Sequence, residues 1–453
     1  MAEAARRDVI RATDPAPACP QRGRRRPQSE DCLALNIWTP TSSSPAALPV
    51  LVYVHGGGYA FGSVNDAVTD GSPLAARGVV VVTVNHRLNA LGYLNLAPFD
   101  ERFGDSGNLG QIDLILALKW VRDNIAAFGG DHACVTLIGQ SGGGAKIATL
   151  LAMPAARGLF HRAVTMSGQQ IAVSEPGHAE VRARTYLARM GVSDTNAGGL
   201  CELPAQQLVE ALDTPDPFER SALYMGPVRD GRWLTRHPFF PDAAPVGNDV
   251  PLMLGATRDE TRDFFDPASP EMLDLSWDDL PSRIVDELPV PAPGDAVVRA
   301  YREHMPNATP ADVFYAATTD GRSWRPQLIE AEMRARAGRP AYVYQVDFTS
   351  RTDPMRGAFH GIDIALLFGT LETSDARTGT GPDARVLSRR LQDSVITFAR
   401  SGSPNGPGLP LWPPYDLLRR RTMVFNRGSH IEGDPRRWQR ALFAPYPYLQ
   451  PGH

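Results

Sequence analysis

The chain has 453 residues, enough for one large domain or two ordinary ones, and 43% are hydrophobic, the composition of a globular protein with ample core. A net charge of −4 and a pI near 6.2 draw it toward neither nucleic acid nor an anionic membrane surface. No apolar run approaches the roughly 18 residues of a spanning helix. The opening MAEAARRDVI is charged and lacks the apolar stretch of a signal peptide. A soluble, cytoplasmic chain is expected as it stands, with secretion left open had a leader been removed.

The densest basic run, RGRRRP at 22–27, reads as a solvated loop. Lysine occurs only at Lys119 and Lys146, every other basic residue being arginine, a bias of GC-rich bacterial genomes. Of the four cysteines, Cys19 and Cys32 could close a small surface loop, worth up to about 3 kcal/mol if oxidised. Cys134 and Cys201 read as ordinary buried thiols. With no CxxC motif or Cys/His cluster, no metal site is indicated.

From there, short apolar runs alternate with helical patterns, the signature of an α/β layered fold. LPVLVYVHG (48–56) and GVVVVTVNHR (78–87) are near-continuous apolar runs, as buried central strands should be. DLILALKWVRDNIAAFGG (113–130) has helical spacing and stops at glycines. CVTLIGQ (134–140) is the next strand and GGAKIATLLAM (143–153) the helix after it. Strands follow in RAVTMSG (162–168), VPLMLGATRDE (250–260), PAYVYQVDF (340–348) and RTMVFNRG (421–428). The Pro-, Asp- and Gly-dense stretches 170–250 and 261–325 read as cap-like, pocket-forming insertions in a single domain covering 1–453, behind a shortened N-terminal segment at 1–30.

Two motifs carry chemistry. Gly139-Gln140-Ser141-Gly142-Gly143 fits G-x-S-x-G between a strand and a helix. A serine forced into so sharp a turn has a strained backbone, and glycines on either side remove collisions with adjacent strands. The turn lifts Oγ clear of the sheet and aims the first helical N–H groups at a reacting carbonyl. The second motif, His55-Gly56-Gly57-Gly58, follows a strand and offers bare backbone N–H groups as an oxyanion hole.

With these motifs in this order, the chain resembles the type-B carboxylesterases, the α/β-hydrolase family that also contains the cholinesterases. SEDCLALNIWTP (29–40), VNHRLNALGYL, GNLGQIDLILALKWVRDNIAAFGGD, VTLIGQSGGG and SGSPNGPGLPLWPPYD (401–416) follow the family's order from about residue 15 to the end. The resemblance implies a mostly parallel twisted sheet flanked by helices. It also implies a triad of Ser141, Glu260 (in GATRDETRDFF) and His360 (in GAFHGIDIALLFG), in the chain order of α/β-hydrolases. Gly57, Gly58 and the N–H of Gly142 would form the oxyanion hole, Ser167 would sit behind the site near Glu260, and Phe264 would line the acyl pocket.

Three departures stand out. Gly142 replaces the usual Ala, a change that would loosen the turn. Gln140 replaces the Glu common in cholinesterases, which weakens a cholinesterase reading. The family also carries some tens of residues before the point where this chain begins, so a more open pocket or a shortened chain is expected.

The activity implied is hydrolysis of small-molecule carboxylic esters of short to medium acyl chain through an acyl-serine, with no cofactor, no nucleic acid and no membrane span. Whether the protein is monomer or homodimer is left open. With an unperturbed base, activity would fall as pH drops through about 6.5. The rivals are a different acyl substrate (carbamate, amide, lactone, polyester or lipid) and a non-catalytic cholinesterase-like binding module.

Overall fold

The computed structural model describes residues 12–23, 27–41, 47–406 and 408–453, and nine strands run through them. In chain order these are β1 (Leu35–Trp38), β2 (Leu48–Val54), β3 (Val80–Val84), β4 (Gly130–Gln140), β5 (Arg162–Met166), β6 (Leu252–Thr257), β7 (Ala341–Val346), β8 (Arg421–Phe425) and β9 (His430–Gly433). They form one sheet in the order β1-β3-β2-β4-β5-β6-β7-β8-β9. Every pairing from β3 to β8 is parallel, and only the edge strands β1 and β9 pair antiparallel. This is the α/β-hydrolase fold.

The strand sequences account for the layering. Val, Ile and Leu fill both faces of β2 and β3, because helices cover a parallel sheet on both sides. On one face Val50, Val52 and Val54 pack with Leu114 and Leu118 of the helix Leu109–Asn124 and Ile147 of the helix Gly142–Leu150. On the other, Leu51 and Tyr53 pack with Leu366 of the helix Ile362–Phe368 and with Leu391 and Phe398 of the helix Pro382–Ser401. Two of the family-like segments are tied together directly: Arg87, just after β3, forks onto Asp113 in two bonds of 2.8 and 2.7 Å.

The two stretches between strands hold helices with apolar clusters of their own. Residues 170–250 include the helix Pro176–Met190, whose Ala183, Tyr186 and Leu187 pack near Tyr59 and Tyr93. Residues 261–325 include Leu280–Glu287, Gly294–His304 and Pro310–Thr319, packed around Ile284, Val297, Tyr301 and Phe314.

Cys19 and Cys32 do not sit on a surface loop. Both are buried free thiols, in contact with each other, and the Leu88 amide donates to Cys19 Sγ at 3.3 Å. Burial in an apolar nest with Leu88, rather than a covalent bridge, holds them in place. Cys134 and Cys201 are not the buried thiols expected: Cys134 is half-buried and Cys201 exposed. Of the basic run, Arg24–Arg26 lie outside the described residues, as does MAEAARRDVI, while Arg22 pairs with Asp213. Among the described residues no helix is long and apolar enough to cross a membrane.

Leu137, in the middle of β4, is completely buried. Leu137→Ala should remove about 2–5 kcal/mol of stability through lost burial and the cavity left behind. A lowered melting temperature in calorimetry checks this, and an unchanged one contradicts the placement of β4 at the heart of the sheet.

Candidate active site

The carboxyl ends of the adjacent strands β2, β4, β5, β6 and β7 deliver the motif residues to one edge of the sheet, where open α/β folds bind their ligands. His55–Gly58 follow β2, Ser141 follows β4, Ser167 follows β5, Glu260 follows β6 and His360 follows β7.

Ser141 has φ 55° and ψ −128°, a left-handed conformation that non-glycine residues rarely hold, costing about 1–3 kcal/mol. Its amide donates to Met166 O at 2.7 Å, and its carbonyl accepts from Ala145 N in the helix it opens. The two glycines of G-x-S-x-G are steric necessities. A Cβ on Gly143 would lie 2.0 Å from Val54 O of β2, and one on Gly139 would lie 2.4 Å from the backbone of Gly143. The strand β2, the turn and the helix therefore cross at backbone-to-backbone distance, and the hydroxyl is left standing at the top.

Glu260 is fully buried; its Oε1 accepts from Thr257 N at 2.7 Å and its Oε2 from Nδ1 of His360. The Nδ1 proton is thereby fixed toward the carboxylate, leaving Nε2 as the basic nitrogen. Burial presses the His360 imidazolium down, but the Glu260 carboxylate outweighs it and holds the ring above its ordinary value. Beside the pair lies fully buried Asp363, whose carboxyl is pushed up to about 7 by burial and by Glu260.

Nε2 of His360 meets the side-chain amide of Gln140 at 3.1 Å. With Nδ1 protonated, that amide donates to the unprotonated Nε2. Ser141 and His360 line the same cavity, of about 1050 Å³, together with Gly57, Gly58, Gly142, Gln140, Ser167 and Phe264. Among the described residues the hydrogen-bond partner of Nε2 is Gln140 and not Ser141 Oγ.

Gly142 opens its helix, so its N–H has no intrahelical partner. Phe264 lines the cavity and packs its ring against His360, centroids 4.7 Å apart, with the Arg322 guanidinium over it. Ser167, expected near Glu260, follows β5 and is among the residues lining the cavity; its Oγ is buried without a hydrogen-bond partner.

Sequence reasoning overlooked Lys146. It is fully buried in the helix after Ser141, and burial pushes its ammonium down to about 7. Among the described residues it makes no ion pair; Nζ donates to Gly58 O at 2.6 Å and His55 O at 3.3 Å and lies over the Tyr59 ring. The signal was present as one of only two lysines, placed in an apolar helix.

One grouping of possible metal ligands exists among the described residues, Glu175, His237 and His453, away from this cavity. Its chemistry does not suit a cation. His237 Nδ1 accepts from Val173 N, which puts the ring proton on the Nε2 that faces Glu175, and Arg229 already forks onto the same carboxylate.

A strained serine above a parallel sheet, a buried carboxylate–histidine pair and helix-terminal amides in one cavity define a serine hydrolase of the α/β-hydrolase class. A profile of the carboxylesterase family matches residues 3–440, and the chain belongs to that family, whose members are carboxylic ester hydrolases. It is 34% identical to the para-nitrobenzyl esterase of Bacillus subtilis over 428 residues, 92% of this chain and 83% of that one. It is 35% identical over 407 residues to the phenmedipham hydrolase of Pseudarthrobacter oxydans, spanning 86% and 77% of the two chains. Among solved structures, a carboxylesterase of Geobacillus stearothermophilus superposes with a TM-score of 0.83 at 34% identity, covering 94% of this chain and 88% of that one.

The Glu260–His360 pairing sets a pH dependence. A base whose pKa is raised is neutral only above that raised value, so kcat/KM should fall with decreasing pH from a point above about 6.5. Gln140→Glu would set a second carboxylate against Nε2 and move this acid limb to still higher pH. Rate profiles of both proteins check the ordering; a Gln140→Glu limb at or below the parental one contradicts the Gln140–His360 contact.

Proposed function

We propose that this carboxylesterase acts through Ser141, His360 and Glu260, with Gly57, Gly58 and Gly142 as oxyanion donors, on esters of short to medium acyl chain. The observation that carries the reading is the Glu260–His360 pair opening onto the same cavity as the strained Ser141.

In the first half-reaction, substrate displaces the Gln140 amide from Nε2. His360 then takes the proton from Ser141 Oγ as the oxygen bonds to the ester carbonyl. The carbonyl oxygen becomes an anion held by backbone N–H groups, each such donor contributing about 2.7–4 kcal/mol to the transition state. Glu260 keeps the tautomer fixed and stabilises the imidazolium. Nε2 gives its proton to the departing alcohol as the C–O bond breaks, leaving acyl-Ser141. In the second half, water loses its proton to Nε2 and adds to the acyl carbon, and that proton returns to Ser141 as the carboxylic acid leaves.

The cavity wall supports an apolar acyl group. Phe61, Leu223, Met225, Phe264, Phe359 and Ile364 give it apolar surface, and its volume of about 1050 Å³ lies at the upper end of small-molecule sites. Phe264, tilted against the His360 ring, is placed to touch the acyl group.

Ser141→Ala should lower kcat by about 10⁴-fold or more with the melting temperature preserved, and His360→Ala nearly as much, since triad members act as a unit. Glu260→Gln should leave somewhat more activity. Esterase activity that survives in clean Ser141→Ala protein contradicts the assignment. Across nitrophenyl esters from acetate to palmitate, kcat/KM should peak at short or medium length; a maximum beyond about ten carbons would contradict this preference and point to a lipid substrate.

A further inference from the structure

Lys146 lies one helical turn beyond Ser141 and points back beneath the glycine loop after β2. Its two acceptors, the carbonyls of His55 and Gly58, bracket the run Gly56-Gly57-Gly58. A single ammonium thus ties both ends of three consecutive glycines to the helix that carries the nucleophile. Such a run is otherwise the most conformationally free segment a chain can have, and Gly57 and Gly58 both hold positive φ, at 84° and 58°.

A second observation points the same way. A Cβ on Gly142 would lie only 2.1 Å from Gly58 O, the carbonyl that Lys146 holds at 2.6 Å. The loop is drawn over Gly142 so closely that alanine, the usual residue there, has no room. The departure at 142 therefore does not loosen the turn; it lets the loop carbonyl approach the nucleophile's helix. The lysine is fully buried without a carboxylate partner among the described residues, a costly placement in a surrounding of glycine backbone and the Tyr59 ring.

We infer that Lys146 is a positioning residue that staples the Gly56–Gly58 loop to the nucleophile's helix and so presets the oxyanion donors. The inference rests on the proposed reading of Gly57, Gly58 and Gly142 as those donors. Lys146 itself touches no substrate: its hydrogen bonds go to the carbonyls of the two peptides that flank the Gly57 and Gly58 N–H groups, and its effect reaches the reaction through the loop held between them.

The test compares the full-length enzyme with Lys146→Met, which keeps the length and apolar stem but removes the donor, and Lys146→Gln, which keeps an N–H donor. The readouts are kcat, KM, melting temperature and affinity for an aryl trifluoromethyl ketone. Ser141 Oγ adds to that ketone's carbonyl carbon, passing its proton to His360, and forms a hemiketal whose oxyanion needs the same donors. In Lys146→Met, kcat should fall by about 10²-fold, the scale of losing one oxyanion donor, with KM little changed and ketone affinity falling in parallel.

Lys146→Gln should recover part of both, and it carries the comparison should the methionine variant fail to fold. A folded Lys146→Met enzyme with undiminished kcat overturns the inference. So does a fall in kcat with ketone affinity intact, or a glutamine variant no better than the methionine one. Ser141→Ala serves as the control: if it still forms the hemiketal, the serine assignment itself fails, an outcome distinct from failure of the staple.

Discussion

The backbone crossing at Ser141 governs the rest of the molecule. Between the end of β4 and the helix Gly142–Leu150 the chain reverses within one residue held at positive φ, and β2 and the loop after β5 press against it at backbone distance. Strain of about 1–3 kcal/mol at one residue persists only because packing on all sides leaves no alternative. Fully buried Val54, Leu137 and Val164 on three neighbouring strands supply that packing. What the crossing yields is position: a hydroxyl in the open with helix amides beside it.

The electrostatics are built on the same plan of burial answered by a local partner. Glu260 is enclosed and answered by the Thr257 amide and the His360 ring; Lys146 is enclosed and answered by two loop carbonyls. Burial and the neighbouring Glu260 carboxylate outweigh the His360 ring at Asp363, so its carboxyl shifts upward, and it stands as a weak second acid next to the pair. In this low-dielectric region charges are expensive unless answered, which is why each lies against a fixed backbone group or a titratable ring.

Much of the fold was legible before any coordinates. The seven strands β2 to β8 announce themselves as continuous apolar runs, because a parallel sheet buried on both faces selects for them. The two missed strands are the edges. β1 is LNIW with every residue only half buried, and β9 is HIEG, largely exposed, so neither carries a run to detect. The helix read at 113–130 in fact starts at Leu109 and tightens to 3₁₀ geometry from Ile125, boundaries that tertiary contacts rather than periodicity decide. Ser141 was legible from its own glycines. Glu260 and His360 were not; separated from each other by 100 residues, they are joined only by the fold and were found through resemblance. Lys146 and the Gln140–His360 contact escaped because their meaning lies in which carbonyl or ring they face, and sequence does not encode that locally.

Covalent trapping of the nucleophile bears most directly on the central claim. A dialkyl fluorophosphate loses fluoride to a strongly activated serine and leaves a stable phosphoester, which peptide mass spectrometry locates. Complete inactivation with a single adduct on Ser141, abolished in His360→Ala, is the expected result. Inactivation with Ser141 unmodified, or equal labelling without His360, would contradict a nucleophile activated at this turn.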